Sequence, residues 1–320
     1  MDLPLVDWMA AIEQEYVETF IPAGGAAVKF TVLTPPLEAS DIRQGLKALA
    51  DRHGLAYFGL DGAETRLHMI DQLFHAIARQ VDWENLAGAL MRRLLAADGY
   101  LLPSEAARCT YPEIAAMNGT SDVDLRRRVR VLLHEHVEND YAMVHEFRAA
   151  MLRLCQAYLE VVKAEVTEIE SIQAWLRGEL KSVSVLKPAG IFQKVGRNLA
   201  RDMFLSLAHW LKLVRPRGTV LALDISRYSL ERRFSHPDGL LFHSTTAVVD
   251  VYEVLRQFID ATDELESCLI VVIAPPAFLT DEKRGLAKYN ALKLRLWDDV
   301  RDRARANPLS AMVRIAGEVA

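Results

Sequence analysis

The stretch Val28-Lys29-Phe30-Thr31-Val32-Leu33-Thr34, followed by Pro35-Pro36-Leu37-Glu38-Ala39-Ser40, decides the class of fold. Its apolar first half predicts a buried strand, and Ser40 is predicted to be the N-cap of a helix from Asp41 to His53. A second short apolar run, Leu55 to Leu60, predicts another strand. A strand, a helix and a strand in this order predict parallel strands joined by a right-handed crossover.

The turn from the first strand into the helix is where a P-loop would bind nucleotide phosphate. The motif G-x-x-x-x-G-K-[ST] works because its glycines bring backbone N–H groups close to the phosphates, while its lysine and hydroxyl serve the γ-phosphate and Mg²⁺. Residues Thr34 to Ser40 contain no glycine and no lysine, and Pro35 and Pro36 lack N–H groups. The sequence therefore predicts a P-loop framework that has lost its phosphate-binding loop, with no bound cofactor.

An imperfect form of the same motif occurs a few residues earlier, at Gly24, Gly25 and Lys29. Val28 occupies the position of the second glycine, and Lys29 opens a strand instead of a helix. The alternative hypothesis keeps these three residues as an unorthodox phosphate loop, with Asp224 as a Mg²⁺ ligand and ATP as the cofactor.

The rest of the chain predicts a parallel-sheet core interrupted by helices. Residues 1–101 are predicted to form the N-terminal part of the α/β core, and in them the apolar stripes from 64 to 98 indicate two helices that cover the sheet. Residues 102–187 have helical periodicity and no convincing strand, which predicts an all-helical insertion. Residues 188–320 complete the core, with helices on both faces and a helical tail from Gly285 to Arg305.

The strand predicted from Thr219 to Asp224 ends in an acid. P-loop ATPases present a Mg²⁺ ligand and a catalytic base, usually Asp followed by Glu, at the end of such a strand. Ile225 replaces the base here. Asp224 is interpreted first as a residue that caps a turn or pairs with an arginine such as Arg227, and second as a metal ligand.

The strand predicted from Cys268 to Ala274 runs directly into Pro275-Pro276. In an active enzyme its end would carry a polar residue that senses the γ-phosphate. The phosphate loop, the base and this polar residue are thus all missing, and phosphoryl transfer depends almost wholly on positioning and electrostatics. No catalytic residue is predicted.

The composition is that of an ordinary globular protein: 320 residues, 51% hydrophobic and 25% charged, with a net charge of -5. This charge argues against a polybasic protein, so contact with nucleic acid would need a local patch. Cys109, Cys155 and Cys268 are far apart and suggest reduced thiols. With no leader and no long apolar run, the protein is predicted to be cytoplasmic and free of membrane.

Two polar clusters remain. His134-Glu135-His136 suggests a metal site, but residues two apart on a helix point about 200° away from each other, so no metal site is predicted.

Six arginines are the candidates for contact with DNA, with a solvated or ion-paired face as the alternative. They are Arg126, Arg127, Arg128, Arg130, Arg232 and Arg233.

Five ordered blocks of sequence carry a family resemblance. They are Ala174–Glu179, Leu186–Ile191, the strand that ends at Asp224, Ala274–Tyr289 and Leu292–Leu296. In these blocks the chain resembles the ATP-binding proteins of BREX-type bacteriophage-defence loci, which are P-loop proteins of the AAA+ kind. The resemblance implies an α/β ATPase core with a helical insertion and a helicase or another DNA-acting defence protein as partner. Asp224 alone matches a residue of the family's site.

The leading hypothesis is a catalytically degenerate P-loop ATPase homologue that acts as a structural or regulatory subunit of an anti-phage complex associated with DNA. Such a subunit would form homo- or hetero-oligomers. The first alternative is an active AAA+-like protein that binds and hydrolyses ATP, and the second is a DNA-binding module.

Overall fold

The computed structural model describes residues 2–104, 109–160, 166–215, 217–231, 239–296 and 307–317. The chain divides into two compact units. One is an α/β unit of residues 1–77 and 215–320, and the other is a helical unit of residues 78–214.

Six strands of the α/β unit form one sheet, in which every pair of neighbours is parallel. The strands are β1 (Leu3–Pro4), β2 (Ala26–Thr34), β3 (Ala56–Asp61), β4 (Thr219–Asp224), β5 (Cys268–Ala274) and β6 (Met312–Ala316). Their order across the sheet is β1-β6-β2-β5-β4-β3. The predicted parallel α/β core is confirmed.

The centre of the sheet is apolar on both faces. Every residue of β4 and β5 is buried, as expected for parallel strands with both faces covered. In the part of the α/β unit that the structure describes, six α-helices accompany the strands: α1 (Leu5–Ile12), α2 (Ala39–His53), α3 (Ile70–Gln80), α10 (Thr245–Asp260), α11 (Ala277–Thr280) and α12 (Asn290–Leu296). The helix α1 continues as a π-helix, Glu13–Phe20.

One face of the sheet packs against α1, the π-helix and α2. The helices contribute Trp8, Ile12 and Leu46 to this core, and the strands contribute Val271 and Ile315 among others. The face of each strand is set by alternation, so Asp61 and Asp224 point to the same side as these apolar residues. The α2 helix therefore lies over the strand ends that carry the two acids.

The described residues of the helical unit form six α-helices: α4 (Trp83–Ala97), α5 (Tyr111–Asn118), α6 (Asp122–Leu133), α7 (His145–Leu159), α8 (Val166–Leu176) and α9 (Arg197–Val214). Its described residues contain no strand. Trp83, Phe147 and Trp210 pack edge to face in its core, with ring centroids 6.4 and 6.1 Å apart. The predicted insertion, 102–187, lies within this unit.

Four local expectations differ from the structure. Glu38 and not Ser40 precedes α2 as its N-cap, because Glu38 forms a capping box with Asp41. The α4 helix packs against α7 and α9 within the helical unit, since an apolar stripe does not specify its partner. The tail predicted to be helical from Gly285 to Arg305 is α-helical over Asn290–Leu296 among its described residues, and 297–306 lie outside them. The unpredicted strand β6 follows. The two-residue strand β1 was also missed.

The connections between strands define a crevice. From β2 the chain passes through α2 to β3 at the far edge of the sheet, whereas from β5 it returns to β6 on the other side of β2. The chain therefore turns in one direction along the sheet after the carboxyl end of β2 and in the opposite direction after the carboxyl end of β5. In open parallel sheets such a switch point is where ligands bind.

Candidate functional site at the carboxyl edge of the sheet

The backbone amide groups of the loop between β2 and α2 donate hydrogen bonds to acceptors within the loop and the start of α2. Pro35 and Pro36, joined by a cis peptide bond, have no N–H. The Leu37 N–H donates to the Thr34 carbonyl oxygen at 3.2 Å. The Glu38 N–H donates to Asp41 Oδ2 at 2.8 Å. From Pro35 to Glu38, every backbone N–H is thus either missing or engaged within the loop.

The start of α2 also carries negative charge. A helix N-terminus attracts anions, because its first N–H groups are unpaired and the helix dipole is positive there. In this chain the capping box already places the carboxylates of Glu38 and Asp41 at that position. A bound phosphate would have to displace these carboxylates and would be repelled by them.

Asp224 lies at the end of β4 and is only 4% exposed. Its Oδ1 accepts a hydrogen bond from the Ser226 N–H at 2.9 Å, which makes it the cap of a turn. Burial raises the pKa of the Asp224 carboxyl above its usual range, while hydrogen bonds from Ser226 oppose the rise. The next residue, Ile225, is buried and its N–H donates to the Ile273 carbonyl oxygen at 2.9 Å. No base occupies that place.

Asp61 is the neighbour of Asp224, and sequence reasoning did not single it out. The two residues are paired in register on β3 and β4. Asp61 Oδ2 accepts from Arg43 Nη1 of α2 at 3.0 Å, and Asp61 Oδ1 accepts from the Ala63 N–H at 2.7 Å. The signal for Asp61 was present, since β3 ends in an acid as β4 does. Nothing in the spacing marked Arg43.

A second group beside this edge fastens the loops that follow β3 and β4. The rings of Tyr228 and His243 are stacked, with centroids 3.8 Å apart and planes at 3°. His68 Nδ1 lies 2.9 Å from the Tyr228 hydroxyl, and His243 Nε2 lies 2.6 Å from the Gly62 carbonyl oxygen. Burial lowers the pKa of His243, while its bond to Gly62 raises it. No motif or spacing in the sequence marked this group.

Arg284 and Arg227 hold the same loops from outside the stack. Buried Arg284 donates through Nη1 to the carbonyl oxygens of Tyr228 and His243, at 3.1 and 3.0 Å. Arg227, the expected partner of Asp224, donates through Nε to the Leu241 carbonyl oxygen at 2.7 Å. These contacts give both arginines a role in loop packing.

Gly24, Gly25 and Lys29 lie towards the opposite, amino edge. The carbonyl oxygens of Gly24 and Gly25 accept from the N–H groups of Ser267 and Cys268, at 3.1 and 3.2 Å. Lys29 Nζ donates to the Leu309 carbonyl oxygen at 2.5 Å, and burial lowers its pKa to about 8. The fold therefore does not bring these residues together with Asp224.

The arginine run on α6 is largely ion-paired. Arg126 pairs with Asp122 at 2.8 Å and also with Glu160. Arg128 donates through Nε to Asp98 Oδ2 at 2.7 Å. Arg127 lies 3.4 Å from Asp124 and is 74% exposed. Arg130 is exposed as well. The other DNA-contact candidates, Arg232 and Arg233, lie outside the described residues.

The described residues include one group with metal-ligating side chains close together: Glu13, Glu18 and His53, whose ligand atoms lie within 4.8 Å of one another. Glu13 Oε1 already accepts from Arg52 at 2.8 Å and contacts His53 Nε2 at 2.6 Å. His134, from the cluster singled out in the sequence, pairs with Glu138 at 2.9 Å.

Comparison with known proteins gives one match. The family model described as BREX system ATP-binding protein BrxC/D matches residues 63–317. The chain belongs to this BREX family. The match includes Asp224 and the end of β5, whereas the β2–α2 loop precedes it. No curated protein and no solved structure matches the chain. Where the structure describes the chain, no helix is both long and apolar enough to cross a membrane.

The family's name implies ATP, and the carboxyl edge of this BREX-family chain does not fit its triphosphate. In a P-loop protein the loop at this position supplies amides to phosphate, and here no backbone N–H is free from Pro35 to Glu38. The helix N-terminus behind it is occupied by Glu38 and Asp41. Both features oppose a group with several negative charges.

Proposed function

We propose that this chain is a catalytically degenerate P-loop ATPase homologue, of the AAA+ kind, that acts as a structural or regulatory subunit in BREX anti-phage defence. Family membership supports the role in the defence system. The single observation that carries the degeneracy is the β2–α2 loop, whose amides and helix N-terminus are taken up by the chain itself.

The rest of the crevice supports the same proposal. An ATPase needs a base or a water-positioning residue beside its metal ligand, and buried Ile225 follows Asp224. The β5 strand ends at buried Ala274, followed by two prolines. The alternative of an active ATPase would need Lys29 as the phosphate contact, and its ammonium group is directed to the Leu309 carbonyl oxygen.

The proposed role as a subunit depends on surfaces of the chain that bind other proteins. A chain without catalytic machinery contributes to defence by binding other components, and we propose defence-system proteins such as a helicase as its partners, with homo- or hetero-oligomers as the form. Association with DNA would come through that assembly. The arginine run is a weak DNA site by itself, because Arg126 and Arg128 are neutralised by neighbouring acids.

Phage protection in cells that carry the complete defence locus tests the proposal. Deletion of this chain should abolish protection, because the complex loses a subunit. Asp224→Asn should leave protection intact, because the carboxylate has no metal or nucleotide to serve. Immunoblots against the chain control for abundance. Protection that survives the deletion would contradict the subunit role. Loss of protection in an abundant Asp224→Asn protein would contradict the degeneracy.

A further inference from the structure

The ends of β3 and β4 bring two carboxylates close together. Asp61 and Asp224 are paired in register and point to the same face. Neighbouring strands lie about 4.8 Å apart, so two such carboxylates are close enough to share one ion. Carboxylate oxygens are the ligands that Mg²⁺ and Mn²⁺ prefer. Two acids this close to each other, one of them buried, need a positive charge beside them.

That positive charge is supplied by α2. Arg43 follows buried Ile42 on the helix, at the border of its apolar face, and its side chain is 31% exposed. Its Nη1 lies 3.0 Å from Asp61 Oδ2. The packing of α2 against β3, β4 and β5 fixes the helix over the strand ends. The guanidinium therefore reaches the acid pair from the same face that a bound cation would occupy.

We infer that Arg43 is a built-in cation that takes the place of a divalent metal ion between Asp61 and Asp224. The guanidinium neutralises part of the paired negative charge and repels a second cation. Its charge also favours the ionised form of Asp224, while Asp61 disfavours it. Burial raises the pKa of the Tyr57 hydroxyl, on the same face of β3, and the charge of Arg43 opposes that rise. The carboxyl edge is thus closed to metal as well as to phosphate.

The arrangement also explains how α2 is held without a ligand. In a nucleotide-binding protein the bound phosphates and metal connect the helix to the strand ends. Here the Arg43–Asp61 ion pair makes that connection within the chain. This deepens the proposed function and rests on it, because it takes the crevice to contain no nucleotide.

Mn²⁺ binding to the full chain without nucleotide tests the inference, with free Mn²⁺ followed by electron paramagnetic resonance. The wild-type chain should show no binding that depends on Asp224, so wild type and Asp224→Asn should give the same curve. Arg43→Gln keeps a polar side chain, shorter than arginine, without the charge. It should bind one ion at least about tenfold more tightly than the wild type. Adding Asp224→Asn to it should remove that gain.

Arg43→Lys is the matched control, since it keeps the positive charge and should bind Mn²⁺ no better than the wild type. Two results would overturn the inference: Asp224-dependent Mn²⁺ binding by the wild type, or no gain in a folded Arg43→Gln chain. If Arg43→Gln does not fold, Arg43→Ala takes its place in the same titration, and Asp224-dependent binding by the wild type overturns the inference in either case. No titration contains nucleotide, so these failures are distinct from a failure of the proposed function.

Discussion

The backbone conformation and the close neighbours of Gly218 leave no room for a side chain. Its φ is +100°, and a Cβ atom there would lie 2.5 Å from Ile21 Cγ2 and 2.6 Å from the Ser267 carbonyl oxygen. Side chains at positive φ are strained, and this one would also collide with backbone that has no room to move. Because Gly218 directly precedes β4, its conformation sets the path of the strand that carries Asp224.

We therefore expect Gly218→Ala to lower the free energy of unfolding by more than about 2 kcal/mol in urea titrations, from strain and overpacking together. Gly54→Ala is the control: Gly54 has φ +71° and nothing within 4 Å of a Cβ atom. Only the conformational cost applies there, so its loss should be about 1 kcal/mol. Equal losses in the two variants would contradict the close approach at Gly218.

Lys29 is the second residue whose surroundings predict a measurable effect. Burial lowers its pKa to about 8 from the usual 10.5. Between these two pH values the unfolded chain binds more protons at this site than the folded chain does, so stability rises with pH. Below pH 8 the buried ammonium costs stability, and above 10.5 that cost is gone.

Lys29→Met removes this titration and should change the pH dependence. The stability of the wild type relative to Lys29→Met should increase between pH 7.5 and 10, by up to about 3 kcal/mol. Urea unfolding of both proteins at each pH gives the difference, in which the other titrating groups cancel. A difference that is constant over this range would show that the lysine is not buried in the folded chain.

In the loop between β2 and α2, two side chains determine whether the helix N-terminus is open to an anion. The strand and the helix were predictable, because an apolar run and a helical stripe are strong signals. The N-cap was not, since Ser40 is a better cap by residue type than Glu38. Only the reciprocal bond with Asp41 selects Glu38. The same bond closes the helix N-terminus to anions.

The capping box should contribute measurably to stability. Asp41→Ala should lower the free energy of unfolding by about 1 kcal/mol, because it removes the acceptor of the Glu38 N–H. Glu38→Ala should cost less, because the Asp41 N–H also donates to the Glu38 backbone carbonyl oxygen, which alanine keeps. The double variant should cost less than the sum, since the two side chains belong to one reciprocal motif. Urea titrations of the three variants measure this, and strictly additive losses would argue against the box.

The short strands β1 and β6 were not predicted from the sequence, for a physical reason. The strand β6 has five residues with alternating burial and an exposed Arg314, and β1 has two residues. Such segments belong to the sheet because neighbouring backbone pairs with them, which periodicity does not reveal. By contrast, β4 and β5 are continuous apolar runs, and their bounds follow from the sequence almost residue by residue.

The order of the strands in the sheet brings the residues of the candidate site together. This order cannot be read from a single sequence. Apolar patterns located β3 and β4, but only the register places Asp61 beside Asp224. Arg43 becomes visible once α2 is laid over both strands. The same holds for the Tyr228–His243 stack, whose members come from distant segments. The family resemblance, in contrast, rests on ordered blocks of sequence and is confirmed by the match to residues 63–317.

The proposed function makes one central claim about the carboxyl edge: it does not hold a triphosphate. The most direct measurement is the melting temperature of the full chain with Mg²⁺ and 0 or about 1 mM ATP or ADP, because a ligand that binds only the folded state stabilises it. A site with a Kd of about 10 μM would add about 2.7 kcal/mol under these conditions. We predict no shift with either nucleotide. A saturable rise that disappears in Asp224→Asn or Lys29→Met would contradict the account.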